Sequence, residues 1–203
     1  MTGSIYGPPG TRPIHIFSHS CLEKRKSHED IAYRSRNPLI THYFHKILKE
    51  SVGIAKVKDF DRVLDFGSGE CYLEAHLPLS SDYMAYDIRF LGAGSPYVGD
   101  YTKTNPDIIF AIHVLEHLTL EELGNTLKNF VRMRPKKIIT AIPTGNALSR
   151  LGASLTGVTG MIKHEHKLNI RQIHTEIRRH FIPQSKAGVL TMTKIVLWRP
   201  IEK

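Results

Sequence analysis

The stretch that decides the fold is RVLDFGSGECYLEAHL, residues 62–77. Its first part predicts a short buried strand because it is apolar apart from one acid: Val63, Leu64, Asp65 and Phe66. Gly67-Ser68-Gly69 then predicts a tight turn, since glycine permits positive φ and lets bare backbone approach a ligand. The residues behind the turn predict a helix. A strand, a glycine turn and a helix in succession are typical of a nucleotide-binding α/β unit.

The glycine turn departs from the dinucleotide-binding pattern. G-x-G-x-x-G requires a third glycine for close packing of helix on strand, and Tyr72 stands in its place. The sequence therefore disfavours a diphosphate-binding dehydrogenase. Taken alone, Gly-Ser-Gly also fits an ordinary strand-to-helix turn.

Length and composition bound the class of protein. A chain of 203 residues fits one domain, which we place at 26–203 behind a flexible N-terminal arm, 1–25. No apolar run approaches the roughly 18 residues of a membrane span, and no secretory signal is evident. The expectation is a cytoplasmic protein without stable membrane insertion. Cys21 and Cys71 lack metal-ligand spacing, so we interpret both as reduced thiols.

The net charge of +9 is unevenly distributed. Residues 1–60 carry 10 basic and 5 acidic side chains, 61–144 carry 8 and 11, and 145–203 carry 10 and 3. An acidic core suits a cationic cofactor, and basic flanks suit an anionic substrate or surface. A merely solubilising basic surface fits the same numbers.

Further strands are predicted along the chain. Tyr83–Ile88 forms a second strand, and its Asp87 lies 22 residues after Asp65, near the spacing at which α/β nucleotide sites place a carboxylate for ribose hydroxyls. The remaining predicted strands follow: Pro96–Asp100, Asp107–Ile112, Ile138–Ile142 and, within Leu190–Trp198, one or two antiparallel edge strands. Together they predict a Rossmann-like, doubly wound, mostly parallel seven-stranded sheet with an antiparallel terminal strand.

Three helices have clear start signals. Asn37-Pro38 opens a helix that should stop near Gly53, and Thr119 with Glu122 forms a capping box. Asn169 with Gln172 forms another, for a helix whose buried side runs through Ile170, Ile173, Ile177 and Phe181. A second side carries a basic stripe, which is either an anion contact or a solvated face: Lys167, Arg171, His174 and Arg178. Residues 144–162 are small, apolar and glycine-rich, which is typical of a lid or of a substrate wall, and equally of an ordinary loop with one short helix.

These motifs resemble the class I S-adenosylmethionine-dependent methyltransferases, from about Arg36 to Arg199. The marks are VLDFGSGE, the strand-end Asp87, Gly99-Asp100, HVLEHL at 113–118 and a histidine-containing segment before the last helix. Cys71 departs from the family pattern, which has its third glycine there. The resemblance implies a cofactor-binding core at 60–144 and substrate-side elements at 26–55 and 145–190.

The resemblance also implies roles for individual residues. Asp65, Phe66, Gly67, Ser68 and Gly69 would hold the methionine end of S-adenosylmethionine. Asp87 and Ile88 would meet the ribose, Asp100 and Tyr101 the adenine, and His113 and Leu115 would contact the cofactor from the fourth strand. A hydroxyl acceptor must also lose its proton, for which His117 is the candidate base and Glu116 its orienting carboxylate. Glu116 also fits a residue that only stabilises its loop.

The acceptor class stays open at this point. We expect a small molecule, lipid-like or anionic, methylated on oxygen or nitrogen. The alternative is a metal-dependent RNA 2′-O-methyltransferase, because Glu116, His117 and His166 match the metal ligands of that group and the flanks are basic. In it, His113 stands where the group has a glutamate, which would shift preference away from Mg²⁺. A non-catalytic binding module with the same fold is a third possibility, and the oligomeric state is not indicated.

Overall fold

The computed structural model describes residues 37–92, 95–146 and 167–201. The N-terminal arm (1–25), Cys21, His166 and nearly all of the segment 144–162 lie outside the described residues. Among the described helices, none combines the length and the apolarity that crossing a membrane requires.

The described core is one mixed six-stranded sheet of order β2-β1-β3-β4-β6-β5. Its strands are β1 Arg62–Phe66, β2 Asp82–Tyr86, β3 Ile108–Ile112, β4 Lys137–Pro143, β5 Phe181–Val189 and β6 Thr193–Pro200. β1 to β4 are parallel, whereas β6 runs antiparallel to both β4 and β5. The α/β class and the antiparallel end of the sheet are confirmed; the described residues hold six strands, not the seven expected.

Helices cover both faces of this sheet. α1 Pro38–Ala55 packs on one face, and α2 Leu120–Met133 with α3 Ile170–Ile177 packs on the other. β3 alternates between the two cores and has all five residues buried. This double burial is why β3 is wholly apolar.

The helix starts follow the predicted cap chemistry. Asn37 accepts a hydrogen bond from the Leu39 amide at the start of α1. Thr119 with Glu122, and Asn169 with Gln172, form complete capping boxes. α1 continues two residues past Gly53 to Ala55, where Lys56 in the left-handed region ends it.

The strand predicted at Pro96–Asp100 is absent from the described part of the chain. Residues 95–100 run beside β2 but are bonded to it through one backbone contact, Val98 N to Ala85 O at 2.8 Å. A strand ladder needs repeated bonds at alternate residues. One bond makes no ladder, so residues 95–100 are not a strand, and β2 forms the edge of the described sheet.

The prediction of a helix directly behind the glycine turn is also wrong. Residues 71–73 form turns, and only the three-residue 3-10 helix Glu74–His76 follows. Cys71 has φ +62°, and a left-handed residue interrupts a right-handed helix. Pro78 then ends the segment, because the residue before a proline avoids helical backbone.

The terminal hairpin lies differently from the prediction. Phe181 begins β5 instead of extending the buried side of α3. Residues 190–192 form the turn between β5 and β6, not the start of a strand. β6 is interior and β5 is the edge strand, so the second half of the hairpin is the one that is buried.

Candidate functional site

The four parallel strands end at one edge of the sheet. At that edge Pro143, the last residue of β4, pairs with Thr193, the first residue of β6. The loops that follow β1, β2, β3 and β4 therefore converge with the β5–β6 turn. Open α/β sheets bind their ligands at this edge.

The glycine turn is tied to the end of β2. The amides of Gly67 and Ser68 both donate to the Tyr86 carbonyl, at 2.7 and 3.1 Å. The Gly69 amide donates to Asp87 Oδ2 at 3.0 Å, and the Tyr97 hydroxyl donates to the Gly69 carbonyl at 2.7 Å. The turn is a fixed part of the fold and not an open loop.

Two features of this turn suit a closely bound ligand. Gly67 has φ +75°, and a Cβ built there would lie 2.3 Å from Val114 Cγ2, so only glycine fits. Ser68 Oγ is buried and has no hydrogen-bond partner among the described residues. A buried hydroxyl without a partner is costly, and a polar group bound against the turn would satisfy it.

Asp87 is buried (4% exposed) at the end of β2. Arg89 donates to it twice from its guanidinium, Nε to Oδ1 at 3.0 Å and Nη2 to Oδ2 at 2.8 Å. Burial alone would raise the pKa of Asp87, but the hydrogen bonds from Arg89 outweigh it and lower the pKa below its usual value. Asp87 is therefore a charged carboxylate directly beside Gly69.

Asp65 lies in the interior at the end of β1, 4% exposed. The Tyr83 hydroxyl donates to its Oδ2 at 2.7 Å. Burial raises the pKa of Asp65 to about 7, although the bond from Tyr83 opposes the rise. A carboxyl with such a pKa changes charge near neutrality and would be held ionised by a nearby cation.

An aromatic cluster flanks the turn. Phe66 stacks on Tyr86 at a centroid distance of 5.4 Å, and Tyr101 lies 5.0 Å from Phe66 and 4.6 Å from Tyr86. The Tyr101 hydroxyl accepts a hydrogen bond from Asn129 Nδ2 at 3.0 Å. Asp100, just before Tyr101, is exposed and caps its own short turn. Hydrogen bonds from Thr102 lower the Asp100 pKa.

The loop after β3 carries four of the expected residues in different environments. His113 has φ +52°, and its Nε2 lies 3.2 Å from Thr193 Oγ1. Leu115 is fully buried in the core, so its backbone but not its side chain could meet a ligand. Glu116 is 2% exposed and His117 is partly exposed.

Glu116 connects this loop to the start of α3. Its carbonyl accepts from the Lys167 and Leu168 amides at 2.8 and 3.2 Å. The residue also lines an open cleft of about 290 Å³. The other lining residues come from the end of β4 and the start of α3: Pro143, Thr144, Gly145, Lys167, Leu168, Asn169, Ile170 and Gln172.

Within residues 37–92, 95–146 and 167–201, no group of three His, Cys, Asp or Glu side chains is arranged as a metal site. Glu116, His117 and His113 thus form no such group by themselves. His166, the further ligand of the metal-dependent alternative, lies outside the described residues.

The basic stripe on α3 is not uniform. His174 is buried (8% exposed) and packs its ring edge-to-face on Trp198 at 5.3 Å. Burial, reinforced by Lys194, Arg178 and Lys186, lowers the pKa of His174 to about 4. It is a neutral core residue at neutral pH, so the stripe contains no charge at its third position.

The structure thus joins some predicted site residues and separates others. It brings Gly67, Ser68, Gly69 and Asp87 together around the end of β2, whereas Ile88 is 75% exposed. Sequence reasoning missed four residues of this edge: Tyr43, Tyr97, Arg89 and Thr193. Arg89 had a local signal, being two residues after Asp87, while Tyr43 and Thr193 are 150 residues apart and had none.

Comparisons with known proteins identify the architecture. No protein-family model matches the sequence, and no curated protein matches it significantly. Solved structures do match. The 1,6-didemethyltoxoflavin-N1-methyltransferase of Burkholderia thailandensis, with 1,6-didemethyltoxoflavin and S-adenosylhomocysteine bound, is 12% identical, with a TM-score of 0.56 and 88% and 92% of the two chains covered.

Two further solved structures match this chain at a comparable identity and TM-score. The magnesium protoporphyrin IX methyltransferase of Synechocystis PCC 6803, with S-adenosylhomocysteine bound, is 13% identical, with a TM-score of 0.54 over 88% of this chain and 90% of that one. Human N-acetylserotonin methyltransferase in complex with S-adenosylmethionine is 14% identical, with a TM-score of 0.50 over 80% and 54%. At such identities, these matches establish the fold.

Proposed function

We propose that this protein, whose fold is that of the class I S-adenosylmethionine-dependent methyltransferases, transfers a methyl group from S-adenosylmethionine to an oxygen or nitrogen of a small acceptor, lipid-like or anionic. The observation that carries the proposal is the glycine turn beside Asp87, at the carboxyl edge of a sheet of this fold. Neighbours of the same fold were solved with the cofactor or its demethylated product.

The residues at the edge fit this cofactor. S-adenosylmethionine supplies an activated methyl group on a sulfonium cation and carries no phosphate, so its site needs backbone groups and carboxylates. Ser68 Oγ needs a polar partner. Position 67 accepts only glycine, so no side chain there blocks a close approach of the cofactor to the backbone. Since the pKa of Asp65 is about 7, a nearby cation needs to lower that pKa only slightly for Asp65 to be ionised at neutral pH.

Each group of residues then has a separate role. Asp65, Phe66 and the turn Gly67–Gly69 hold the amino-acid moiety. Asp87, with the backbone of Ile88, accepts from the ribose hydroxyls. Asp100 and Tyr101 lie beside the adenine, and His113 and the Leu115 backbone approach from the end of β3.

We assign removal of the acceptor's proton to the loop after β3. His117 is partly exposed and is the proposed general base for a hydroxyl acceptor. Glu116, buried beside it, fixes the loop and orients the base. Since the methyl is already activated, holding acceptor and donor in line supplies much of the rate, and the base adds about 10²-fold or more.

The cleft beside Glu116 is the proposed acceptor pocket. It lies between the end of β4 and the start of α3, next to the loop that carries His117. Lys167 on its wall would favour an anionic acceptor. No observation among the described residues favours RNA as the acceptor, or a metal, or a module without catalysis.

Calorimetric titration with S-adenosylhomocysteine tests the proposal. The wild-type protein should bind it, and Asp87→Ala should bind at least tenfold more weakly. Turnover is then measured on a panel of phenols, carboxylates and amines. If the wild-type protein binds neither S-adenosylmethionine nor S-adenosylhomocysteine, the proposal is refuted. If it binds them but methylates no acceptor of the panel, the catalytic part of the proposal is refuted.

A further inference from the structure

The hairpin of β5 and β6 carries two lysines on the face of the sheet where α3 packs. Val196 and Trp198 of β6 belong to the core on that face. Alternate residues of a strand point to the same side, so Lys194 lies on it as well. Lys186 of β5 pairs directly with Val196, and paired residues of neighbouring strands share a side. Both lysines therefore lie on the α3 side of the hairpin.

Arg178 at the end of α3 adds a third cation. His174 packs its ring on Trp198 at 5.3 Å, so this side of α3 faces β6. Arg178 is the C-cap of α3 and follows His174 by four residues, a spacing that makes two residues neighbours on a helix. Burial first, and then the charges of Lys194, Arg178 and Lys186, lower the pKa of His174. The three cations thus surround this ring, and we call them the basic cluster.

The basic cluster has no acidic neighbour on the described elements that form it. β5 and β6 contain neither Asp nor Glu. The one acid of α3, Glu176, pairs with Arg179 at 2.8 Å and lies about 200° around the helix from His174. The charged ends of the basic cluster form no ion pair or hydrogen bond with any residue that the structure describes. Their positive charge is therefore not neutralised within the described fold.

A buried polar atom lies beside the basic cluster. His174 is 8% exposed, and its Nε2 has no hydrogen-bond partner among the described residues. Leaving such an atom unpaired is costly, and so is holding three cations together without a counter-charge. A bound oxyanion would reduce the repulsion and bring oxygen atoms to the imidazole. Both features therefore favour a negatively charged ligand with several oxygens.

A phosphate group fits the donors that the basic cluster offers. A guanidinium matches two phosphate oxygens with its fork of donors, and an ammonium adds a compact charge. Lys186 and Lys194 are diagonal neighbours across β5 and β6, with about 7–8 Å between their backbones, so both long side chains can reach one group. The sheet order places this hairpin at the opposite end from β1 and β2, away from the glycine turn.

We propose that Arg178, Lys186 and Lys194 bind a phosphate-type anion, either inorganic phosphate or the phosphate group of a larger molecule. This site is separate from the edge of the sheet that carries the glycine turn. The inference does not depend on the proposed function.

Calorimetric titration of the full chain with inorganic phosphate tests the site. Ionic strength is held constant, because salt screens exposed charges. We expect one phosphate to bind per chain. Lys186→Gln and Lys194→Gln each remove one charge and should weaken binding about threefold to fivefold, and the double variant should weaken it about tenfold or more. The matched control is Lys128→Gln, the same change at an exposed position of α2, which should leave the affinity unchanged.

NMR of the His174 ring shows whether the phosphate binds at this place. The ring signals, identified through their contacts with Trp198, should shift as phosphate is added and should saturate at the calorimetric affinity. The signals of His42, exposed on α1, should not move. The proposal is overturned if phosphate does not bind, if Lys128→Gln weakens binding as much as Lys194→Gln, or if the His174 signals do not respond.

Phenyl phosphate distinguishes the two sources of the anion. If it binds more tightly than inorganic phosphate and loses affinity in Lys194→Gln, the site takes the phosphate group of a larger molecule. If inorganic phosphate binds more tightly, the free ion is the ligand.

Titration with S-adenosylhomocysteine separates this site from the proposed function. The Lys186→Gln, Lys194→Gln double variant should bind S-adenosylhomocysteine as the wild type does. Phosphate binding by a wild-type protein that does not bind S-adenosylhomocysteine would refute the methyltransferase proposal and support the phosphate site. Loss of S-adenosylhomocysteine binding in the double variant would overturn the separation of the two sites.

Discussion

Arg89 donates two hydrogen bonds from its guanidinium to Asp87, at 3.0 and 2.8 Å. Both carboxylate oxygens are therefore engaged before any ligand binds, and the Gly69 amide shares one of them. Under the proposed function, ribose hydroxyls that donate to Asp87 would share these oxygens or displace the arginine. We therefore expect Arg89 to influence the affinity for the cofactor.

We expect Arg89→Ala to bind S-adenosylhomocysteine about twofold to fivefold more tightly, because Arg89 is 40% exposed and such a pair contributes up to about 1 kcal/mol. Calorimetry measures this difference. Arg89→Lys, which keeps the charge but loses the two-point contact, should lie between. Weaker binding in Arg89→Ala would mean that the arginine orients Asp87 instead of competing for it.

Gly67 should be irreplaceable. Gly67→Ala combines φ +75° with a Cβ 2.3 Å from Val114 Cγ2, so we expect a loss of about 3 kcal/mol or more in the free energy of unfolding. The matched control is Gly53→Ala, inside α1, where the added Cβ meets no atom within 4 Å. It should gain up to about 1 kcal/mol.

Urea denaturation of both glycine variants measures the two changes. Val114→Ala should not rescue Gly67→Ala, because the Val114 Cβ itself would lie 2.6 Å from the new carbon. Equal stability of Gly67→Ala and wild type would contradict the packing described for the turn.

Asp65 should make stability fall as pH rises. Its folded pKa, about 7, exceeds the ordinary 3.8, so the folded state binds the proton more tightly than the unfolded chain. The favourable contribution is complete below about pH 4 and is lost as the pH rises to about 7, a change of at most about 4 kcal/mol. Asp65→Asn removes this dependence.

Denaturation of wild type and Asp65→Asn at pH 4.5 and pH 8 checks the sign. The variant should be the more stable protein at pH 8, with the difference shrinking at pH 4.5. Asp107→Asn is the control of opposite sign. Burial would raise the Asp107 pKa, but hydrogen bonds from Arg62 and Lys136 lower it to about 2, so this variant should lose stability at pH 8.

His117→Ala should lower kcat about 10²-fold or more on a hydroxyl acceptor, while the affinity for S-adenosylhomocysteine changes less than twofold. Glu116→Gln keeps the shape of the buried residue and should lower kcat less. His42→Ala, at an exposed position of α1, is the control and should leave turnover unchanged. If the kcat of His117→Ala equals that of the wild-type enzyme, His117 is not the general base.

The sequence by itself determined the features that depend on neighbouring residues. The helix starts at Asn37, Thr119 and Asn169 were predictable because a cap involves side chains and amides two or three residues apart. The apolar run of β3 and the positive φ of Gly67 and Gly69 followed from equally local rules. Together these patterns predicted the fold class and the edge of the sheet at which the candidate site lies.

Only the tertiary structure decided the number of strands and the partners of the site residues. Pro96–Asp100 has the composition of a strand, but it makes one backbone bond to β2. Tyr43, His113 and Thr193 meet across 150 and 80 positions of sequence. Backbone pairing and side-chain contacts over such separations depend on how the sheet closes on α1, and no local pattern of residues encodes that.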